Sequence, residues 1–209
     1  MHKPDLKEGD SLNPSQLRRR TIDFRISPLL TRGLLHPTMK LLSQKRALEK
    51  LHDLKSEFAS SIRENYEHRA KSCLTCDTPG ACCLDAHFVN VRITRLEAAA
   101  IGGVLEALPN RNEILARVER TIERFDLASD GKEFYACPLF EKGVGCLVHE
   151  RGKPLPCISH ACYENKEDLP PDHLVTEQEC LVQELNERTY RTSATCLPLP
   201  VAISRISPS

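Results

Sequence analysis

Ten cysteines stand among the 209 residues, and eight of them fall into two short segments separated by helix-forming sequence. The first segment, CLTCDTPGACC, carries Cys73, Cys76, Cys82 and Cys83; the second carries Cys137, Cys146, Cys157 and Cys162. Loops with this many thiols are held together by disulfides or by metal, and the compartment decides between the two. The chain begins MHKPDLKEGDSLNPSQLRRR, without the apolar run of a signal peptide, and contains no apolar stretch of about 18 residues that could span a membrane. Asp5, Glu8 and Asp10 also count against an organellar transit peptide. The expectation is a cytoplasmic protein with no membrane span, in which thiols stay reduced and bind metal.

The spacing carries the chemistry. Cys73-x-x-Cys76 is the separation at which a tight turn points two thiolates at one ion, as in structural zinc sites and iron–sulfur clusters. Cys82 and Cys83 are adjacent, so their side chains diverge and are better used by two centres, or by several corners of one cluster, than by one tetrahedral ion. Gly80 lets the backbone turn between the pairs, Gly143 and Gly145 predict a turn between Cys137 and Cys146, and Pro154 and Pro156 stiffen the approach to Cys157. Two thiol-rich segments separated by helices imply a fold that brings them together around shared metal. Four thiolates satisfy one zinc ion or one [4Fe–4S] cluster, so eight suffice for one or two centres. His149 and His160, each three residues after a cysteine, are within ligating reach, with a surface or supporting role as the plainer reading.

On these residues the chain resembles the YkgJ-type cysteine-cluster family, described as zinc- or iron-chelating domains with a CxxCxxCC-like signature. The resemblance runs from Cys73 to Cys162. It is carried by Cys73, Cys76, Cys82 and Cys83, by ITRLEAAAI where the family has an extended segment entering a helix with a Glu, by Cys137-Pro138-Leu139 and Gly145-Cys146-Leu147, and by the ending from Pro154 to Cys157 and Cys162. It implies metal chelation by the eight cysteines. The gap before the double cysteine is longer here, and Lys153-Pro154 and Cys157-Ile158 stand where the family has Arg-Pro and Cys-Arg. Some relatives carry the domain beside a flagellin lysine methylation activity, but no cofactor-binding motif here transfers that activity.

The rest of the chain reads as mainly α, a helical scaffold with irregular cysteine-rich metal-binding loops. Residues 1–37, punctuated by four prolines, predict a partly ordered basic arm. A helical cysteine-cluster domain follows over 38–192, with metal-binding segments 73–83 and 137–162, and then a Pro/Ser-rich tail over 193–209 that packs irregularly or frays. Within the domain, Leu48, Leu51, Leu54, Phe58 and Ile62 mark an amphipathic helix ending near Tyr66. Thr94 with Glu97 forms a capping-box pattern opening a second helix. Further helices are predicted over 110–127, on Ile114, Leu115, Val118, Ile122 and Phe125, and over 172–190, on Leu174, Val175, Leu181, Val182 and Leu185. Cys180, inside the last helix, reads as a small buried hydrophobe, and Cys196 likewise or as a redox-active tail thiol.

Charge sums to zero, but residues 1–72 carry 15 Lys and Arg against nine Asp and Glu. A basic front on an acidic body favours intramolecular docking or an anionic partner. No aromatic residues are interleaved to stack on bases, so a solvated basic helix is the plainer reading. The chain lacks GxSxG, a GxxxxGK[ST] phosphate loop and GxGxxG, so no catalytic residues are assigned. The leading expectation is a metal-binding protein whose eight cysteines hold zinc or an iron–sulfur cluster, the metal ordering loops too poor in apolar residues to order themselves. A redox or protein-modifying iron–sulfur enzyme is the alternative, and a thiol redox sensor using Cys73, Cys76, Cys82 or Cys83 is the second.

Overall fold

The computed structural model describes residues 40–71, 83, 91–129 and 135–206. Its order is α1 (Gln44–Asn65), β1 (Ala70–Lys71), β2 (Arg92–Ile93), α2 (Arg95–Leu105), α3 (Arg111–Arg124), β3 (Phe140–Glu141), β4 (Gly145–Cys146), α4 (Leu155–Ile158), β5 (Cys162–Tyr163), α5 (Asp172–Tyr190), β6 (Leu197–Pro198) and α6 (Leu199–Ser204). Helices dominate, and the strands form only two-residue antiparallel pairs: β1 with β5, β2 with β6 and β3 with β4. The chain is therefore mainly α.

Helix α1 begins at Gln44, six residues later than the change of pattern at Thr38 suggests, and is capped by Ser43, whose side chain accepts from the Arg46 amide. It buries Ala47, Leu51, Lys55, Phe58 and Ile62, a stripe at three- and four-residue steps that includes one lysine. Leu155 and Ile158 of α4, Val182 and Leu185 of α5 and Leu96 of α2 close this core. A second core lies on the other side of α2, where Ala98, Ile101 and Leu105 meet Ile114 and Val118 of α3, Leu139 and Val148 of the cysteine-bearing loops, and Leu199, Ala202 and Ile203 of α6. Helix α2 thus serves both cores. Its capping box is complete: Thr94 Oγ1 accepts from the Glu97 amide, and Glu97 Oε2 accepts from the Thr94 amide. The next free amide of its first turn, Leu96, donates to Asn186 Oδ1 of α5 at 3.0 Å, so two helices satisfy its N-terminus.

Three expectations change. Residues 193–209 are not simply an irregular tail: Leu197 and Pro198 pair with Ile93 and Arg92, and α6 inserts Leu199, Val201, Ala202 and Ile203 into the interior. Pro198 precedes this helix and Pro200 lies in its first turn, where a missing amide costs nothing, so prolines that read as breakers are start signals. Cys180 is exposed, and its neighbour Leu181 is 44% exposed, because α5 turns Val182, Leu185 and Asn186 inward instead. The loops of 135–165 are also less poor in anchors than their composition suggests, since Leu139, Val148, Leu155 and Ile158 are all buried. The basic arm, residues 1–37, lies outside the described residues.

Candidate metal centre

The second cysteine segment is built from three short devices. Beyond Cys137 the chain turns, with the Phe140 amide donating to the Cys137 carbonyl, and β3 pairs with β4 so that Phe140 faces Cys146. Gly143 and Gly145 have φ of +85° and +102°, conformations that only glycine adopts without strain, so the predicted turn is present and sets where Cys146 falls. Leu147 then donates to the Leu139 carbonyl at 2.9 Å, closing the hairpin with Cys137 and Cys146 on its base. Cys157 lies in α4, which starts at Pro154 as the proline spacing suggests; its amide donates to the Pro154 carbonyl. All three cysteines pack against the second core.

Their thiols sense one another. Burial, opposed in part by the Leu139 amide and reinforced by Cys146, pushes the Cys137 thiol up from 9.0 to about 12. The Cys157 thiol is driven up further, by burial first and then by Cys137 and Cys146. Without metal these groups are neutral at pH 7, and their clustering makes thiolate formation depend on a cation to share. Arg117, Lys153 and Lys55 are the positive groups that oppose the rise.

Cys83 of the first segment, and the strand just before that segment, both meet the second. The Cys137 amide donates to the Cys83 carbonyl at 2.8 Å, and β1 pairs with β5 so that Lys71 lies opposite Cys162. Cys73, Cys76 and Cys82 lie outside the described residues. Cys83, the last residue of the first segment, and Lys71, two positions before Cys73, are thus each joined to the second segment. Among the described residues, no three His, Cys, Asp or Glu side chains form a group able to hold a metal ion. Cys137, Cys146 and Cys157 pack against one core, and thiols are the ligands that zinc and iron–sulfur clusters take. His149 and His160 are exposed, whereas Cys137, Cys146 and Cys157 are packed on the core.

Positioning of Cys157 depends on a residue that spacing alone does not single out for this role. Glu97, 3% exposed, spends Oε2 on its own cap and turns Oε1 to two further donors, the Leu155 amide at 3.0 Å and Lys55 Nζ at 3.4 Å. One carboxylate thus joins α2, α1 and the start of the helix that carries Cys157. The sequence signal was a lysine inside the apolar stripe of α1, which needs a buried counter-charge. Around the same carboxylate, burial and then Glu97 raise Glu179 from 4.5 to about 7, and burial, Glu97 and Glu179 push half-buried Cys196 up to about 12. Cys196 is therefore a neutral thiol, with its carbonyl accepting from Arg92 Nε at 3.2 Å. No described helix is long and apolar enough to cross a membrane. No family model, curated protein or solved structure matches the chain.

Proposed function

We propose that the protein is a cytoplasmic metal-binding cysteine-cluster protein in which Cys73, Cys76, Cys82, Cys83, Cys137, Cys146, Cys157 and Cys162 supply thiolates to zinc or to an iron–sulfur cluster. The observation that supports this reading is that Cys83 accepts from the Cys137 amide and that Lys71, two positions before Cys73, pairs with Cys162. Cys137, Cys146 and Cys157 pack against one core, where a bound ion would supply the charge that makes their ionisation favourable. When bound, the metal would cross-link α4, the β3–β4 hairpin and the β1–β5 pair; the cysteines hold it, and Glu97 holds the helix that presents Cys157. Ten thiols in one chain suit the reducing cytosol.

The test is anaerobic purification followed by metal analysis and an absorption spectrum of the same sample. Iron with acid-labile sulfide, or tightly held zinc, supports the reading and identifies the metal. The double change Cys137→Ser with Cys157→Ser is expected to abolish at least one centre. Metal content unchanged by that pair would overturn the assignment.

A further inference from the structure

Among the described residues, three large hydrophobic side chains are exposed: Leu41, Val144 and Leu181. Val144 sits at the turn between β3 and β4, but Leu41 and Leu181 lie along one seam, between α1 and α5. Leu181 lines a groove there with Leu54 and Leu174, and Leu41 lines an adjoining one that shares Lys50 and Arg188 with it. The two helices run antiparallel, since the Leu42 amide just before α1 donates to the Arg188 carbonyl near the end of α5. Their inward faces are already filled by Leu51, Phe58, Val182 and Leu185. A second apolar row left facing water adds nothing to that core and marks an interaction surface. Charge is graded along the same seam: Lys40, Arg46, Lys50 and Arg188 crowd the end where α1 begins, and Asp53 and Glu57 follow one and two turns further on. Arg188 already pairs with Glu184, whereas no ion pair among the described residues uses Lys50, Asp53 or Glu57.

We propose that this face is the contact between two copies of the chain, joined about a two-fold axis that passes beside Leu54. A two-fold contact needs a surface complementary to itself, and α1 supplies one. Lys50 and Glu57 lie seven residues apart on one stripe of the helix, with Leu54 between them. When the second α1 lies antiparallel on the first, Lys50 of each copy meets Glu57 of the other, and Leu54 and Leu181 of both copies come together at the centre. A parallel arrangement would set Lys50 against Lys50. The antiparallel one surrounds an apolar middle with paired charge, the order of a protein interface. Helix α5 has 19 residues, which makes the face about 28 Å long, and two helices side by side are about 20 Å wide. That is at the low end of the area of specific interfaces, so the dimer is one that concentration controls. No cysteine lines the seam among the described residues, so the inference is independent of the metal reading.

The experiment is sedimentation equilibrium of the full chain over a concentration series, with reductant present so that exposed Cys180 forms no disulfide between copies. Wild type should pass from monomer to dimer with a Kd on the order of 10 µM, and salt should weaken the dimer because its rim is ionic. Leu181→Glu, at an exposed position, should abolish the dimer and keep the Tm of the monomer. Lys50→Glu and Glu57→Lys each place like charges at both symmetry-related contacts and should weaken association about tenfold. An equimolar mixture of these two variants restores opposite charges at both contacts and should associate as wild type does. The rescue is the decisive readout, since mixing cannot repair a defect inside either monomer. Wild type that stays monomeric to about 1 mM would overturn the proposal, and a lowered Tm for Leu181→Glu in that case would assign the groove to another part of the same chain. A dimer that Leu181→Glu leaves intact has its interface elsewhere, which also overturns the proposal. So does a dimer weakened by both reversals and not rescued by mixing, because the two charges then do not meet across a two-fold axis.

Discussion

Glu97 concentrates more of the structure than any other side chain described, because its two oxygens serve four donors drawn from three parts of the chain. Glu97→Ala would leave buried Lys55 charged and uncompensated, and would strand the Leu155 amide at the start of α4. Removal of one partner of a buried ion pair costs about 3–5 kcal/mol, and urea unfolding should show a loss of that size. Glu179 gives a prediction with a pH signature. Its carboxyl is raised from 4.5 to about 7 by burial and by Glu97, so the protonated form favours the fold: this contribution is complete below pH 4.5 and disappears as pH rises through 7. Because Glu179 is half-buried, Glu179→Gln should stabilise by only roughly 1 kcal/mol at pH 8 and by nothing measurable at pH 4.5. A gain that is the same at both values would show that packing, not charge, is responsible. The Thr94 and Glu97 pattern announced the cap of α2, but the second use of the same carboxylate depends on Lys55 and Leu155, which are 42 and 58 residues away. Local spacing carries no record of such partners.

At the scale of elements, periodicity was enough wherever a helix has one buried face, and insufficient where it has two or where prolines begin it. Helix α5 runs from Asp172 to Tyr190 as its pattern predicts, while α2 buries Leu96 on one side and Ile101 on the other because it divides two cores. Helix α6 escaped notice for the reason given above, that Pro198 and Pro200 occupy start positions. The ends of elements offer two stability tests. Helix α5 stops at Arg191, held in the left-handed region at φ 58°, ψ 24°, with its amide donating to the Glu187 carbonyl at 2.8 Å. Arg191→Gly keeps that bond and removes the strain, so thermal unfolding should show a gain of about 1 kcal/mol. The opposite holds at Gly145, where φ of +102° admits no side chain without distortion. Gly145→Ala should cost about 2 kcal/mol and, because Cys146 is the next residue, should reduce metal content in the same sample.

Over the whole molecule, the two cores and the cysteine loops are not separable layers. Leu155 and Ile158 belong to the core of α1, and Leu139 and Val148 to the core of α2, α3 and α6, so the residues alternating with the thiols are anchors in their own right. Composition suggested loops that metal alone would order; four buried aliphatic side chains, worth about 1.5–3 kcal/mol each, argue for loops that remain docked when metal is stripped. Hydrogen exchange on the metal-free full chain should therefore retain protection at the Leu147 amide, which donates to the Leu139 carbonyl. Exchange there at the rate of an open loop would return to the metal the whole task of ordering the segment. The two states should differ instead in alkali. In the stripped chain the Cys137 thiol is neutral and pushed up to about 12, so its contribution is intact below pH 9 and lost as pH rises toward 12, when the unfolded chain ionises first. Cys157, raised in the same direction, adds to that loss. On the proposed metal reading the same sulfurs would be thiolates in a loaded chain, and the alkaline loss should vanish, since metal would have displaced the protons on which it depends. Tm measured from pH 7 to pH 10.5 on stripped and loaded protein decides the point: curves that fall together would mean that the buried thiols do not ligate, and curves that part above pH 9 would tie folding, ionisation and metal to the same cysteines.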